Sequence, residues 1–515
     1  MATHPMSPVD AAWYHIDGPA NFAMITGVAL TREPLPFEKV RKAFRRRLAR
    51  FDRYRQRVVE KGFPVATPHW EDVPGFDAAQ HLHHIALPAP HDRRALAELV
   101  SDLASTPLDR ARPLWEAHVV DDVEGGSALI IRAHHCIGDG TAMMLVCREL
   151  FDESPTPMEE DDDPPPQVAA GALPPTDAEE PPPPATGAPT SASTLVAPVI
   201  DVLQASARYA TRAAAVAWKV ASRPEPLVAK AKLALDGAGM LVGELFKSPD
   251  PPSPLKGSFG IEKRVAWSAP VALADARAIG APMGAKINDV LVAAMSGALR
   301  TYLTNRGVRR NRIRARAMVP VDLRPPGRAP ELGNAFGLVL LDLPLDSDRS
   351  RERLARTKRR MDALKHSAEP IAILALFDLI GRLPKAVEDF AVDLVGSKAS
   401  LVMTNVAGPR EPIHLAGARI ERLLFCVPHP GRQLGMGISI MSYHGAATLT
   451  VVADAHLVPD PEAITVAFDR EFARMARNAR RQLAKEAPAK RPAARPRKAA
   501  KASKASKARR TASAN

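Results

Sequence analysis

The sequence has only three cysteines in 515 residues, Cys136, Cys147 and Cys426. They are widely spaced, so they predict neither a disulfide framework nor a zinc-binding motif, and no metal site is expected from them. This cysteine usage is typical of proteins in a reducing cytoplasm.

Long hydrophobic runs are also missing. No stretch reaches about 18 uninterrupted apolar residues, which a membrane-spanning helix requires, and the longest candidate is residues 370–377. The amino terminus lacks a basic segment followed by an apolar one, so no secretory signal is expected. Any membrane contact should therefore be peripheral.

Positive charge is unevenly distributed along the chain. The formal net charge is +13, but residues 485–515 contain eleven Lys or Arg against one acid, which leaves +3 for the first 484 residues. This segment has no large apolar residue and is predicted to be a disordered basic tail. It is either a solubilising segment or a contact for anionic lipid headgroups, acyl-CoA phosphates or nucleic acid. Without aromatic residues it predicts no specific nucleic-acid binding.

The remaining chain divides into two halves that alternate helical and strand patterns. Residues 1–153 form the first half, and residues 258–484 form the second. Between them, residues 154–194 are rich in proline and acid and predict a disordered linker, and residues 195–257 form a connecting segment with helical periodicity over residues 195–246. That helical stretch either packs against the second half or lies on a membrane surface. Within the first half, helices are expected at residues 37–58 and 93–104.

One motif carries most of the functional information: His134 and His135, followed by Asp139 and Gly140, in the pattern HHxxxDG. It lies between a predicted buried strand (residues 127–133) and a predicted helix (residues 141–151). Because side chains alternate along a strand, the two histidines should face opposite sides of the sheet. Taken singly, a histidine here is more often a satisfied core residue, and the glycines and Asp139 are explained by a turn.

A neutral imidazole is well suited to remove a proton from a hydroxyl or thiol near pH 7, provided that its other nitrogen is held by a hydrogen bond. Asp139 could orient that imidazole directly. It could equally hold the turn by pairing with an arginine from elsewhere. Cys136, within the motif, is interpreted as a small packing residue.

Several segments, in order along the chain, resemble the bacterial wax ester synthase/acyl-CoA:diacylglycerol acyltransferase family, within the CoA-dependent acyltransferase superfamily. Beside the histidine motif they are Met6–Ala12 with Trp13 in place of the usual phenylalanine, Pro113-Leu114-Trp115, Pro254–Gly257, Asn288-Asp289, Val319–Arg324, Gly333–Phe336 and Thr404–Pro409. Thr404 and Ala407 are mild departures from the family pattern. The long linker and the basic tail have no counterpart in it.

The resemblance implies an α/β fold of two chloramphenicol-acetyltransferase-like domains, with mixed sheets and flanking helices, around a central tunnel. It implies transfer of a fatty acyl group from acyl-CoA to diacylglycerol or a long-chain alcohol, giving triacylglycerol or wax ester. Acyl-CoA is then a co-substrate and no further cofactor is expected. A cytoplasmic protein in peripheral contact with the inner membrane or lipid inclusions follows from the same resemblance.

The resemblance also assigns roles to residues. His135 corresponds to the general base, Asp139 to the motif aspartate that holds the loop, and His134 and Gly140 to supporting positions. Asn288 could donate an amide hydrogen bond to the oxyanion, or it could cap the following helix, since Asn is a favoured N-cap. Asp289 is expected to support that element, and Pro113-Leu114-Trp115 to be structural.

Two other functions compete with this interpretation. The first is a condensation-type enzyme of the same superfamily that acts on another alcohol or on an amine; the chain carries no carrier-protein signature. The second is a non-catalytic protein that coats lipid inclusions or binds anionic surfaces. An intact His135 argues against the second function, because a binding protein has no use for the motif.

Overall fold

The computed structural model describes residues 3–18, 20–60, 67–155, 248–309, 313–324, 331–365, 373, 385–429 and 433–486. The expected linker (beyond residue 155), the expected helical stretch 195–246 and the basic tail (beyond residue 486) lie outside these residues. Within them, no helix is both long enough and apolar enough to span a membrane.

The described strands and helices alternate along both halves. The strands are β1 (Thr3–Pro5), β2 (Met24–Thr31), β3 (Gln56–Val59), β4 (His69–Asp72), β5 (Leu82–Ala86), β6 (Trp115–Val123), β7 (Gly126–His134), β8 (Lys263–Trp267), β9 (Val271–Ala272), β10 (Arg316–Asp322), β11 (Phe336–Asp342), β12 (Leu401–Ala407), β13 (His414–Leu415), β14 (Ala418–Cys426), β15 (Met436–Tyr443) and β16 (Ala446–Asp454). The helices are α1 (Pro8–His15), α2 (Phe37–Arg47), α3 (Arg93–Ser105), α4 (Gly140–Leu150), α5 (Leu273–Gly280), α6 (Ile287–Asn305), α7 (Ser350–Lys365), α8 (Lys385–Ser397) and α9 (Pro461–Glu486).

Two mixed sheets with flanking helices form the fold, as expected from the sequence. The first has the strand order β13-β14-β2-β7-β6-β5, and the second has the order β11-β10-β12-β15-β16-β8, with β9 also paired to β16. The pairs β5–β6, β10–β12 and β12–β15 are parallel, and the other pairs in these sheets are antiparallel. β1, β3 and β4 form a separate small sheet.

The second half of the chain contributes strands to the first sheet. β14 pairs antiparallel with β2, with Leu424 opposite Val28 and Phe425 opposite Gly27. The halves also share a core beneath α3, where Ser101 accepts a hydrogen bond from the backbone N–H of Val265 at 2.9 Å. The predicted boundaries at residues 153 and 258 therefore separate two halves of the sequence. In the structure, however, strands of the two halves pair within one sheet.

The helix expected at residues 37–58 is wrong in its second part. α2 ends at Arg47, two short 3₁₀ turns follow, and residues 56–59 form β3. The apolar positions after Arg47 continue to be buried, with Leu48 and Tyr54 at 1% and 0% exposure. Because apolar residues recur at buried positions in the 3₁₀ turns, their spacing in the sequence is the same as that of a continuing helix. The helix expected at residues 93–104 is confirmed as α3.

Candidate active site

The two motif histidines follow one another at the carboxyl end of β7 and contact different surroundings. β7 ends at His134, and α4 begins at Gly140. His134 contacts the Asp17 carboxylate through Nε2 at 3.1 Å, whereas His135 lies against Trp13 and Asn334. The two side chains therefore line different cavities, whereas His135 lies beyond the last residue of β7.

The His135 ring is held by one stacking contact and one hydrogen bond. Its plane lies 15° from that of Trp13, with the ring centroids 4.0 Å apart. Nδ1 lies 2.9 Å from Oδ1 of Asn334. The backbone N–H of His135 also donates to the carbonyl of Ala23 at 2.7 Å. With only 7% of the residue exposed, the imidazole has little rotational freedom.

The surrounding hydrogen bonds decide which ring nitrogen carries the proton. Nδ2 of Asn334 donates to Oδ1 of Asp10 and to the carbonyl of His135, both at 2.8 Å. Both partners can only accept, so the Asn334 amide has one allowed orientation and its Oδ1 faces the histidine. An amide oxygen can only accept, so Nδ1 of His135 carries the proton. Nε2 therefore keeps its lone pair, as a general base requires.

A partly buried ion pair anchors this chain of contacts. Asp10, 1% exposed on α1, pairs with Arg53 at 2.9 Å. Arg53 also donates to the carbonyls of Cys136 and Ile137, directly after the histidines. α1 is fixed in turn by the Ser7 side chain, which accepts from the backbone N–H of Asp10 at 3.1 Å. Residues Ser7 to Arg53 therefore hold both the loop and the Asn334 side chain that orients the imidazole.

Burial lowers the pKa of His135 to about 4, and the Asp139 carboxylate and the Asn334 hydrogen bond oppose this effect only in part. The ring is therefore neutral at pH 7. With neutral His135 as the predicted base, activity should be present above this pKa and lost as pH falls through it. We expect the acidic limb of kcat/KM to lie well below about 6.5, the ordinary pKa of histidine. The measurement is the pH profile, with circular dichroism at each pH; a midpoint near pH 6.5 in folded protein would contradict the assignment.

Asp139 holds the loop, which decides between the two roles that the sequence left open. Its Oδ1 accepts from the backbone N–H groups of Thr141 and Ala142 at 3.1 Å each, so it is the N-cap of α4. Its Oδ2 accepts from the N–H of Ala335 at 3.0 Å and lies 2.9 Å from Nη1 of Arg324. Asp139 thus ties the motif loop to the second half of the chain.

Of the two glycines in the motif loop, Gly138 is the one at which a larger side chain would clash with its neighbours. A Cβ at Gly138 would lie 2.6 Å from that of Ala142 and 3.3 Å from the backbone nitrogen of Gly333, with which Gly138 forms a β-bridge. At Gly140 the nearest atom to a Cβ would be Cγ2 of Val406, at an ordinary 3.7 Å. Gly140 is the first residue of α4, one residue before the predicted helix start, and space alone does not demand glycine there.

The structure corrects one interpretation of Asn288. Lys286, not Asn288, is the N-cap of α6, and Asn288 lies inside the first turn. Asp289 performs the capping, since its carboxylate accepts from the backbone N–H of Lys286 at 2.8 Å. Oδ1 of Asn288 accepts from Nδ2 of Asn405 at 2.7 Å, and Asn405 lines the cavity beside His135. A direct contact of Asn288 with an oxyanion stays a prediction.

A largely apolar cavity of about 300 Å³ opens at His135 between the two halves. Asp139, Thr141 and Arg324 lie at its polar side. Its apolar walls come from β10, β11, β12 and α8, and include Met318, Leu338, Val392, Val395 and Val402. The cavity therefore places a neutral imidazole at the edge of a space suited to an apolar chain.

The sequence did not identify three residues that hold this site. Asp10, Asn334 and Arg324 each belong to segments quoted for the family resemblance, yet none was assigned to the site. Pairing could not be read from the sequence, because His135 and Asn334 are 199 positions apart. Leu114 and Trp115, at 1% and 0% exposure, are structural as expected. Cys136 is a buried packing residue, also as expected.

Comparisons with known proteins agree with this geometry. Residues 6–291 match the wax ester synthase/diacylglycerol acyltransferase catalytic domain, and residues 332–476 match the WS/DGAT C-terminal domain. A putative diacylglycerol O-acyltransferase of Mycobacterium bovis and a probable one of Mycobacterium tuberculosis are each 27% identical over 457 residues, covering 88% of this chain and 90% of the relative.

Among solved structures, the wax ester synthase/diacylglycerol acyltransferase from Marinobacter aquaeolei aligns with a TM-score of 0.62 and 20% identity, covering 92% of this chain and 99% of that one. The first condensation domain of the calcium-dependent antibiotic synthetase aligns with a TM-score of 0.55 and 16% identity, covering 93% and 96%. At these identities the structural likenesses concern the fold alone.

Proposed function

The chain belongs to the wax ester synthase/diacylglycerol acyltransferase family and is an acyltransferase, and we propose that it transfers a fatty acyl group from acyl-CoA to the hydroxyl of diacylglycerol or a long-chain alcohol. The observation that carries this proposal is the unprotonated Nε2 of His135 at the edge of an apolar cavity. Acyl-CoA is a co-substrate in this reaction, and no other cofactor is required.

His135 acts as the general base in the proposed reaction. Nε2 takes the proton from the acceptor hydroxyl while its oxygen forms a bond to the thioester carbonyl carbon. The carbonyl oxygen becomes the oxyanion of a tetrahedral intermediate. When this intermediate collapses, the carbon–sulfur bond breaks, and the imidazolium returns its proton to the leaving thiolate. The ester and free CoA are released, and the histidine is again neutral.

The proposal assigns an electrostatic role to the edge of the cavity. Asn405 lines it, and its contact with Asn288 fixes the orientation of that amide pair. We place the oxyanion on this side, with Asn288 or its partner supplying the donor. Arg324 neutralises Asp139, so the motif loop brings no uncompensated negative charge to the developing oxyanion.

Filling the cavity should impair long acyl chains selectively. Val395 lines it from α8, and Val395→Trp should lower kcat/KM for palmitoyl-CoA about ten- to hundredfold, the effect expected from overpacking a formed apolar space. A short-chain acyl-CoA should be affected less. Val466→Trp, at a side chain 38% exposed on α9, is the matched control.

Assays with separate diacylglycerol, fatty-alcohol and amine acceptors test the reaction itself. Activity on amines alone would overturn the proposal that the enzyme forms esters.

Peripheral membrane contact is the remaining part of the proposal. The substrates are lipids, and residues 485–515 carry eleven basic residues. Replacing the Lys and Arg of residues 487–515 with Gln, at unchanged length, should weaken co-sedimentation with anionic vesicles at low salt, and the difference should shrink as salt screens the charges. Neutral vesicles are the control. If the unchanged protein and the Gln variant bind anionic vesicles equally, the basic tail does not mediate membrane contact.

A further inference from the structure

A cluster of two histidines and a glutamate lies on the first sheet, apart from the catalytic cavity. His83 on β5 and His118 on β6 are directly opposite one another in the parallel pairing. Glu116 lies two residues before His118 and therefore on the same face of β6. One potential ligand atom from each of the three side chains lies within 4.8 Å of the others. We propose that His83, Glu116 and His118 bind a divalent transition-metal ion.

The strongest support comes from His118, which is buried with an unsatisfied nitrogen. Only 8% of this residue is exposed, and its buried Nδ1 has no hydrogen-bond partner among the described residues. Buried polar atoms are nearly always satisfied, so an isolated one indicates a missing partner. Burial, with His83 and Arg132 nearby, lowers the pKa of His118 to about 4, and the neutral ring is the form that ligates metals.

The position of Glu116 is fixed by a second residue. Arg132, 1% exposed on β7, lies 3.0 Å from one carboxylate oxygen of Glu116. This contact orients the carboxylate and leaves its other oxygen for a metal, in the way that neighbouring hydrogen bonds commonly orient metal ligands. The positive charge of Arg132 also opposes a cation, so the two imidazoles and the free oxygen of Glu116 have to bind the ion together.

The ligand set defines the class of ion. Two imidazoles and one carboxylate favour zinc, copper or nickel, whereas calcium and magnesium prefer more oxygen ligands. Zinc–nitrogen bonds of about 2.0–2.1 Å place tetrahedral ligands about 3.4 Å apart. The ligand atoms, which lie within 4.8 Å of one another, therefore have to approach by at most about 1.4 Å. The exposed side chain of His83 at the sheet edge can supply this movement.

A metal ion bound at this site would stabilise the edge of the first sheet. β5 is its terminal strand and pairs within the sheet with β6. A metal ion shared by His83 and His118 would cross-link these two strands through their side chains. No metal is expected there from the sequence, because the cysteines form no motif and the proposed ligands come from two strands that are separated along the chain by α3.

Titration of the chelator-treated full chain with zinc chloride, followed by calorimetry, tests this proposal. We expect one site whose affinity falls at least about tenfold in His83→Ala and in Glu116→Gln. His84→Ala is the matched control, because His84 is the next residue on β5 and pairs instead with Asp121 at 2.6 Å. It should bind zinc as the unchanged protein does.

Thermal unfolding supplies a second measurement that does not depend on activity. Zinc should raise the Tm of the unchanged protein and of His84→Ala, and should raise that of His83→Ala much less, because only folded protein holds the three ligands together. The exposed position of His83 makes this variant suitable even if His118→Ala does not fold. Zinc binding of equal affinity in His83→Ala, including binding at the free cysteines or His135, would overturn the proposal.

Discussion

Replacing His135 with alanine should lower turnover by about two to four orders of magnitude, which is the usual contribution of a general base. The variant should remain folded, because the loop is held independently by Asp139 and Arg53. Affinity for acyl-CoA should change little, since the base acts on the acceptor hydroxyl. The measurement is kcat with palmitoyl-CoA and a saturating acceptor, together with thermal unfolding.

His134→Ala is the matched control for that experiment. His134 is the neighbouring histidine, but its ring contacts Asp17 and lines a different cavity. The backbone N–H of Cys136 also donates to its Nδ1 at 3.2 Å, so its role is to hold the loop. We expect a modest loss of turnover and a lower Tm. Equal losses of turnover in two folded variants would show that His135 is not the sole base.

Asn334→Ala should lower kcat by about one to three orders of magnitude, because the imidazole loses the acceptor that keeps its proton on Nδ1. Asn334 does not react with substrate in this mechanism; it positions His135. Its loss also removes one donor from Asp10, so the protein should be less stable. Stability alone therefore cannot identify the role, and turnover must be compared in a second background.

The double variant provides that comparison. If Asn334 acts only through His135, Asn334→Ala should have almost no further effect on the residual rate once His135 is alanine. A structural disturbance of the cavity would instead lower the rate by the same factor in both backgrounds. The KM for palmitoyl-CoA should also stay nearly constant in the single variant, as expected for a residue that affects the base rather than the acyl chain.

The two assignments together explain how a histidine with a low pKa can serve this reaction. Burial favours the neutral form of the His135 ring, so the ring is predominantly unprotonated at pH 7. Once the acceptor proton has been taken, the same burial makes the imidazolium more acidic than an exposed one. That property favours return of the proton to the leaving thiolate. The tautomer set by Asn334 ensures that both transfers use Nε2.

The sequence alone determined the local elements around the site. The apolar run before His134 predicted a buried strand, the pattern after Asp139 predicted a helix, and both are present as β7 and α4. These features depend on contacts between near neighbours in the chain, which periodicity records directly. Where helical periodicity continued without a helix, as after Arg47, the same reasoning placed the end of α2 too late.

The tertiary structure decided what surrounds His135. Asp139 had two possible roles until Arg324 and the N–H of Ala335 were found beside it. The proton position on His135 depends on Asn334, 199 residues away, and on Asp10. These contacts exist because strands from the second half enter or approach the first sheet, and a linear pattern does not record which distant segments pair. The sequence therefore predicted His135 as the base, whereas only long-range packing determined how its imidazole is oriented and which ring nitrogen carries the proton.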